Sequence, residues 1–88
     1  MMSPEEKKQL IESRIQQAFT PHHLEVIDDS DQHVGHAGHQ GGGRHFTVII
    51  AANSLKDLAR IDAHRKIYAL FTELMPDEIH ALRIKIVN

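Results

Sequence analysis

The chain has 88 residues, a formal net charge of −2 with neutral histidines, and no cysteine. A chain of this length makes one small domain, here residues 1–88, and buries only about 60% of the surface of its unfolded state. The missing thiols exclude disulfides and cysteine-based metal sites built from this chain alone, and the negative charge argues against strong general attraction to nucleic acid. No apolar run is long enough to span a bilayer and no signal peptide is evident, so we expect a cytoplasmic protein.

The N-terminal segment predicts a helix with defined ends. Ser3 and Glu6 have the spacing of a capping box, and Pro4 occupies the first helical position. Apolar residues then recur at helical spacing as far as the Thr20-Pro21 pair. That pair should stop the helix, because the residue before a proline disfavours helical geometry.

Two β-strands are predicted next, separated by a glycine-rich segment. Residues 23–28 (HLEVID) form a short β-like run. Residues 45–52 (HFTVIIAA) are the clearest strand, because β-branched residues dominate there. The residues expected on the buried faces of these strands are Leu24, Val26, Phe46, Val48 and Ile50.

The rest of the chain predicts two helices and a final strand. Ser54 and Asp57 have the spacing of a second capping box for a short helix, and an apolar stripe predicts a longer helix from Asp62 to about Leu74. Alternation in residues 81–88 (ALRIKIVN) predicts a strand. The order α-β-β-α-α-β indicates an α+β two-layer domain, with helices on one face of a three-stranded sheet.

Residues 33–46 (HVGHAGHQGGGRHF) hold four of the eight histidines and all five glycines. Glycine gives this stretch backbone freedom, so we expect a connection between strands rather than a packed element. Flexible glycines would also let imidazoles converge on one metal ion. Three interpretations stay open for His33, His36 and His39: a polar loop without a specific role, a weak binder of zinc, copper or nickel, and a ligand set completed by a more rigid group.

His64, near the start of the long predicted helix, is the candidate for that rigid group. It precedes Ile67 by three positions and Phe71 by seven, so it borders the apolar stripe. One interpretation is a boundary histidine that packs its ring and makes a hydrogen bond. The other is a metal ligand, whose geometry a helix would fix better than a loop does.

Basic residues cluster on the long predicted helix and on the last strand. Such residues normally form a solvated face, but they are also the phosphate contacts that a DNA-binding regulator would use. A catalytic role is not indicated, because no serine has the nucleophile-elbow pattern and the adjacent Asp28 and Asp29 point to opposite faces of a strand. The candidate phosphate contacts are Arg60, Arg65, Lys66, Arg83 and Lys85.

Several motifs together resemble the BolA family over nearly the whole chain. The most specific is AHRKIY (residues 63–68), in which a His-Arg pair opens the long helix; HF opens the second strand and HAL precedes the last. The resemblance implies a fold similar to the type II KH domain, in agreement with the predicted order of elements. It also implies a non-enzymatic partner of monothiol glutaredoxins. In such a heterodimer, a bridged two-iron, two-sulfur cluster is held by glutaredoxin and glutathione thiolates on one side and BolA histidines on the other.

Carried onto this sequence, the resemblance implies His64 as the helix ligand and His33 or His36 as the loop ligand, with His39 as a third choice. His45 opens a strand and is expected to be structural. Because this chain has no thiolate, a cluster would take its thiolates from elsewhere, and imidazole ligands raise the reduction potential, as in Rieske centres. Imidazoles must be neutral to bind, so acidification should loosen the site.

Two other functions stay open. Some members of the BolA family are described as transcription factors, so a DNA-binding regulator, with a role in transcription regulation and stress response, is the main alternative. A bare metal buffer that uses His33, His36 and His39 is the third hypothesis. The sequence also leaves open whether the free chain forms a weak homodimer.

Overall fold

A computed structural model describes residues 2–29 and 44–88. The described residues confirm the predicted order α-β-β-α-α-β, with one additional short 3-10 turn. The elements are α1 (Pro4–Phe19), β1 (His23–Asp28), β2 (Arg44–Ala51), α2 (Asn53–Lys56), α3 (Arg60–Tyr68), the 3-10 turn (Thr72–Leu74) and β3 (Ile79–Ile86).

The three strands form one sheet in which β2 is central. β1 pairs with β2 antiparallel, and β3 pairs with β2 parallel. A parallel pair needs a crossover connection, which α2 and α3 supply between β2 and β3. The end of β1, the start of β2 and the start of β3 therefore meet at the same end of the sheet.

One face of the sheet is buried against the helices and forms the core. Side chains alternate between the two faces of a strand. The core side chains are even-numbered from Leu24 to Val26 in β1, from Phe46 to Ile50 in β2 and from Leu82 to Ile86 in β3. Each large apolar side chain buried there contributes roughly 1.5–3 kcal/mol. The predicted buried face of β2 is confirmed, and the core includes Ile11, Ile15, Val26, Phe46, Val48, Ile50, Ile67, Phe71, Leu82 and Ile84.

The predicted capping box of α1 is confirmed. The Ser3 hydroxyl accepts a 3.1 Å hydrogen bond from the Glu6 backbone N–H, and the Glu6 carboxylate accepts a 2.8 Å bond from the Ser3 N–H. The hydrogen bond from the Ser3 backbone N–H, followed by one from the Ser3 side chain to the same carboxylate, lowers the pKa of Glu6. The helix ends at Phe19, and Thr20 takes a left-handed conformation, with its N–H bonded to the Gln16 carbonyl.

The second predicted capping box is wrong. α2 begins at Asn53, its N-cap residue is Ala52, and no side chain caps its first turn. Ser54 instead lies inside α2, and its hydroxyl donates a 3.3 Å hydrogen bond to the carbonyl of Phe19. The serine therefore satisfies an acceptor at the end of α1, which is a tertiary contact rather than a local cap.

The long predicted helix is shorter than expected, because α3 ends at Tyr68 rather than Leu74. After the helix the chain makes a tight turn, with two hydrogen bonds between residues three positions apart. The Leu70 N–H donates to the Ile67 carbonyl at 3.1 Å, and the Phe71 N–H donates to the Tyr68 carbonyl at 2.9 Å. This turn puts the fully buried Phe71 ring into the core. Because Phe71 follows Ile67 by four positions, a longer helix would also bury its ring, and burial of Phe71 alone does not explain the early end.

Arg14 fastens α1 to the segment that follows α3. Its guanidinium donates to the carbonyl of Leu70 at 2.5 Å and to the carboxylate of Glu73 at 2.6 Å, and lies 5.9 Å from the centre of the Phe71 ring. The hydrogen bond from Arg14 lowers the pKa of Glu73, and the same bond raises the pKa of Arg14. This contact fixes the early end of the helix, because Leu70 and Glu73 must face α1.

Candidate functional site

The two described residues that border residues 30–43 lie at the same end of the sheet. The Asp29 N–H donates a 2.8 Å hydrogen bond to the carbonyl of His45, which extends the pairing of β1 with β2. Arg44 is the register partner of Ile79, the first residue of β3. Asp29 and Arg44, the described residues on either side of the three predicted loop ligands, therefore lie at the end of the sheet where β3 begins.

A bulge in β3 lies at this end of the sheet. Arg44 pairs with Ile79 but His45 pairs with Ala81, so His80 is an extra residue without a register partner on β2. A bulge bends a strand locally and redirects the side chain of the extra residue. As a result β3 starts two residues before the predicted strand, with Ile79 buried and His80 exposed.

The bulge brings His80 next to His45. The ring centroids are 5.1 Å apart and the ring planes are tilted by 39°. His45 is half-buried, whereas His80 is exposed. An imidazole nitrogen binds zinc at about 2.0–2.1 Å, and two imidazoles that share one tetrahedral ion have centroids about 5 Å apart. The spacing of this histidine pair thus suits joint coordination.

The described residues do not complete a metal site by themselves. Within residues 2–29 and 44–88, no group of three or more histidine, cysteine, aspartate or glutamate side chains could hold a metal ion. A metal centre bound by the histidine pair would therefore need further ligands. Sequence reasoning missed His80 as a candidate, although the HAL motif marks it, because alternation along a strand cannot reveal a bulge.

His64 lies in the other layer of the domain. It is on α3, half-buried, between the buried Ala63 and the buried Ile67. This position confirms that it borders the apolar stripe. The helices cover one face of the sheet, whereas His45 belongs to the opposite face. The structure therefore brings His45 together with His80 and leaves His64 on the helical side. The predicted loop ligands His33, His36 and His39 lie outside the described residues.

The five candidate phosphate contacts form two separate groups. Arg60, Arg65 and Lys66 are exposed on α3, in the helical layer. Arg83 and Lys85 are exposed on the opposite face of the sheet. A single straight duplex cannot contact both faces at once, so these five residues do not make one nucleic-acid surface.

A cleft of about 270 Å³ lies between α2, the start of α3 and the end of β3. Its apolar lining includes Leu55, Ala63 and Ile86, and two cationic residues, Lys56 and Arg60, also line it. Both cationic side chains are exposed, and neither makes an ion pair with another described residue. An anion that approaches the cleft would therefore meet two positive charges that form no ion pair with the described residues.

No helix in the described part of the chain is both long enough and apolar enough to cross a membrane.

The chain is similar to known proteins over most of its length. The family model described as BolA-like protein matches residues 15–88. The DNA-binding transcriptional regulator BolA of Haemophilus influenzae is 34% identical over 77 residues, which cover 88% of this chain and 72% of that protein. The Escherichia coli protein of the same name is 31% identical, with 88% of this chain and 70% of that protein covered. These relatives are named as regulators and not as enzymes.

Solved structures support the same relationship. The BolA domain of SufE1 from Arabidopsis thaliana superposes with a TM-score of 0.78 at 29% sequence identity, and the match covers 98% of this chain and 93% of that domain. The fold agrees as well as the sequence: a mixed sheet of three strands with its helices on one face. On the family match over residues 15–88 and on this shared fold, the chain belongs to the BolA-like family.

Proposed function

We propose that this chain is a non-enzymatic adaptor that pairs with a monothiol glutaredoxin and holds a shared two-iron, two-sulfur cluster through histidines. The cluster is cargo in iron–sulfur cluster assembly, trafficking or iron-linked regulation. The observation that carries the proposal is the His45–His80 pair, which lies at the end of the sheet that holds Asp29 and Arg44, the described residues next to residues 30–43.

The donor set supports a shared cluster rather than one that this chain binds alone. Iron–sulfur clusters are usually held by cysteine thiolates, and some centres replace two of them by histidines. The chain has eight histidines and no cysteine. It can therefore supply imidazole ligands only, and the thiolates must come from a partner, here the glutaredoxin and glutathione.

The geometry favours His80 over His64 as the rigid ligand. His80 is exposed and sits on a strand, 5.1 Å from His45 between ring centroids. Arg44 and Asp29, which border residues 30–43, lie at the same end of the sheet as this pair. His64 lies on α3 in the helical layer, away from this end of the open sheet surface.

The test is reconstitution with a monothiol glutaredoxin, glutathione, iron and sulfide under reducing conditions. Visible circular dichroism reports the cluster environment, and native mass spectrometry reports the heterodimer. We expect His80→Ala to change the spectrum most and His45→Ala to change it less, whereas His22→Ala, an exposed histidine on the approach to β1, is the matched control.

One outcome would overturn the choice of ligand, and another would overturn the adaptor function. A spectrum that responds to His64→Ala but not to His80→Ala would move the ligand to α3 and overturn the assignment to the sheet. A spectrum and mass that stay those of the glutaredoxin alone, with and without this chain, would overturn the adaptor function itself.

A second candidate function is DNA-binding regulation, which the names of the Haemophilus influenzae and Escherichia coli relatives favour. The helical face with Arg60, Arg65 and Lys66 is the surface we expect to contact phosphates, together with Lys56. Binding through phosphates weakens steeply as salt rises. Fluorescence anisotropy with duplex DNA should then show that the logarithm of the binding constant falls linearly with the logarithm of the salt concentration. Arg60→Gln should reduce the slope of this line. Weak binding that does not change with salt would exclude this function.

A further inference from the structure

The face of the sheet turned away from the helices carries an ordered set of side chains. The register aligns odd-numbered residues across the three strands in rows. One row is Glu25, Ile49 and Lys85, and the next is Ile27, Thr47 and Arg83. Ile27 is 42% exposed, and Glu25, Arg83 and Lys85 are also exposed. We call the surface formed by the six residues of these two rows the open face.

Charge on the open face is separated by strand. The acidic side chain, Glu25, is on β1, whereas both basic side chains, Arg83 and Lys85, are on β3. Neighbouring strands are about 4.8 Å apart, so the backbones at the two ends of a row are about 10 Å apart. Among the described residues, Arg83 and Lys85 make no ion pair, and Glu25 has only a 3.9 Å contact with His23.

We propose that the open face is a docking surface for a second copy of this chain. The two sheets pack face to face, and the two-fold axis runs along the central strand β2. That rotation exchanges the positions of β1 and β3 and keeps each row at its own height. Glu25 of each copy then faces Lys85 of the other, Ile49 meets its counterpart on the axis, and the aliphatic stem of Arg83 covers the exposed Ile27.

The charge pattern also favours this axis over a two-fold axis that lies in the interface plane but runs perpendicular to the strands. A two-fold axis perpendicular to the strands would place β1 on β1 and β3 on β3. Arg83 and Lys85 of the two copies would then lie close together, and like charges at that spacing repel. Of these two axes, the one along β2 pairs the basic strand with the acidic strand.

The interface is small, so the dimer is weak. Three strands and their exposed side chains offer about 300 Å² per chain, well below the ~800 Å² per partner of a standard stable interface. Dimerisation should therefore be seen at high protein concentration, and it should weaken as salt screens the two Glu25–Lys85 pairs.

The experiment is a charge exchange followed by sedimentation equilibrium at up to about 1 mM protein and low salt, without glutaredoxin or metal. Glu25→Lys and Lys85→Glu should each lower the association constant at least about tenfold, because like charges then face each other. An equimolar mixture of the two variants should recover the association of the native chain, since each lysine at 25 meets a glutamate at 85 in the other copy.

Glu5→Lys and Lys66→Glu, two exposed residues on the helices, are the matched control for charge reversal away from the open face. These two variants should associate as the native chain does. A native chain that stays monomeric over the whole concentration range, a mixture of open-face variants that does not recover, or an equal loss in the helix variants would overturn the proposal. An isotope-filtered NOE between the Ile49 methyl groups of labelled and unlabelled native chains checks the axis without any substitution.

Discussion

Lys7 and Glu78 form an ion pair in which the lysine is almost fully buried. The Nζ to Oε2 distance is 3.2 Å, and the two side chains are 4% and 35% exposed. Lys7 lies in the first turns of α1, and Glu78 immediately precedes β3. The pair therefore ties the N-terminal helix to the start of the strand that carries the bulge and His80.

Removal of the carboxylate should cost more stability than removal of both charges. A buried charge that loses its partner is strongly destabilising, whereas an apolar replacement of the whole pair is often close to neutral. We expect Glu78→Gln to lower the free energy of unfolding by about 1–3 kcal/mol, and the double variant Lys7→Met with Glu78→Gln to lower it less. Urea denaturation at neutral pH measures both, with the exposed neighbour Asp77→Asn as control; equal losses for the single and double variants would contradict this account.

The Arg14 guanidinium should not tolerate replacement by lysine. A lysine ammonium is a point charge and cannot span the Leu70 carbonyl and the Glu73 carboxylate in the way the planar fork does. We expect Arg14→Lys to lower the free energy of unfolding by about 1–2 kcal/mol. Glu73→Gln should cost less, because the Glu73 side chain is 58% exposed and solvent screens its charge. A larger loss for Glu73→Gln than for Arg14→Lys would contradict this expectation.

The same contact predicts a pH dependence of stability. The hydrogen bond from Arg14 lowers the pKa of Glu73 in the folded state below its unfolded value. The stabilisation is therefore fully present above the unfolded pKa and is lost as the pH falls through the folded pKa. Stability curves of the native chain and of Glu73→Gln, measured between neutral and acidic pH, should converge in acid; a constant difference at every pH would exclude this linkage.

The capping box makes a prediction at the other end of α1. Ser3→Ala removes the acceptor for the Glu6 N–H and should lower the free energy of unfolding by about 1 kcal/mol, whereas Ser3→Asp should retain most of it. The pKa of Glu6 is lowered in the folded state, so its contribution too is lost as the pH falls through that lowered value. Thermal denaturation at neutral and acidic pH measures both effects, and an alanine variant as stable as the native chain would contradict the cap.

Tyr68 links the end of α3 to the edge strand. Its hydroxyl donates a 2.6 Å hydrogen bond to the backbone carbonyl of the buried Leu82. Tyr68→Phe keeps the ring and removes only this bond, so we expect a loss of about 1 kcal/mol. Amide hydrogen exchange should accelerate in β3 more than in β1, and uniform acceleration throughout the sheet would show that the bond has no local role.

Patterns that depend on neighbours in the sequence predict this fold well. The capping box of α1, its end before Pro21 and the buried face of β2 are confirmed, because each depends on local backbone geometry or on strict alternation. The choice of β2 as the central strand, with one antiparallel and one parallel neighbour, is a long-range property that no window of the sequence contains.

The errors share one physical cause, which is contact between residues far apart in the chain. Ser54 bonds to the end of α1 instead of capping α2, and α3 stops at Tyr68, shortly before the Leu70 carbonyl that accepts from Arg14. For the candidate site, the assignment of His64 stays a prediction, and what the sequence did not reveal is that His80 lies beside His45. The proximity of these two rings depends on the pairing of β2 with β3 and on a bulge, neither of which alternation reveals.

The bulge at position 80 has a consequence for how the domain tolerates change. At the other positions of β3, strict alternation determines whether a side chain points into the core or into solvent. Deletion of one residue would therefore turn the side chains of Leu82 and Ile84 outward. Position 80 stands outside that alternation, so its side chain is not constrained by packing against the helices. The fold should accept almost any residue there with little loss of stability. If a substitution at this position had a strong effect in the living cell, the cause would be the loss of a contact made by the imidazole, and not unfolding of the domain.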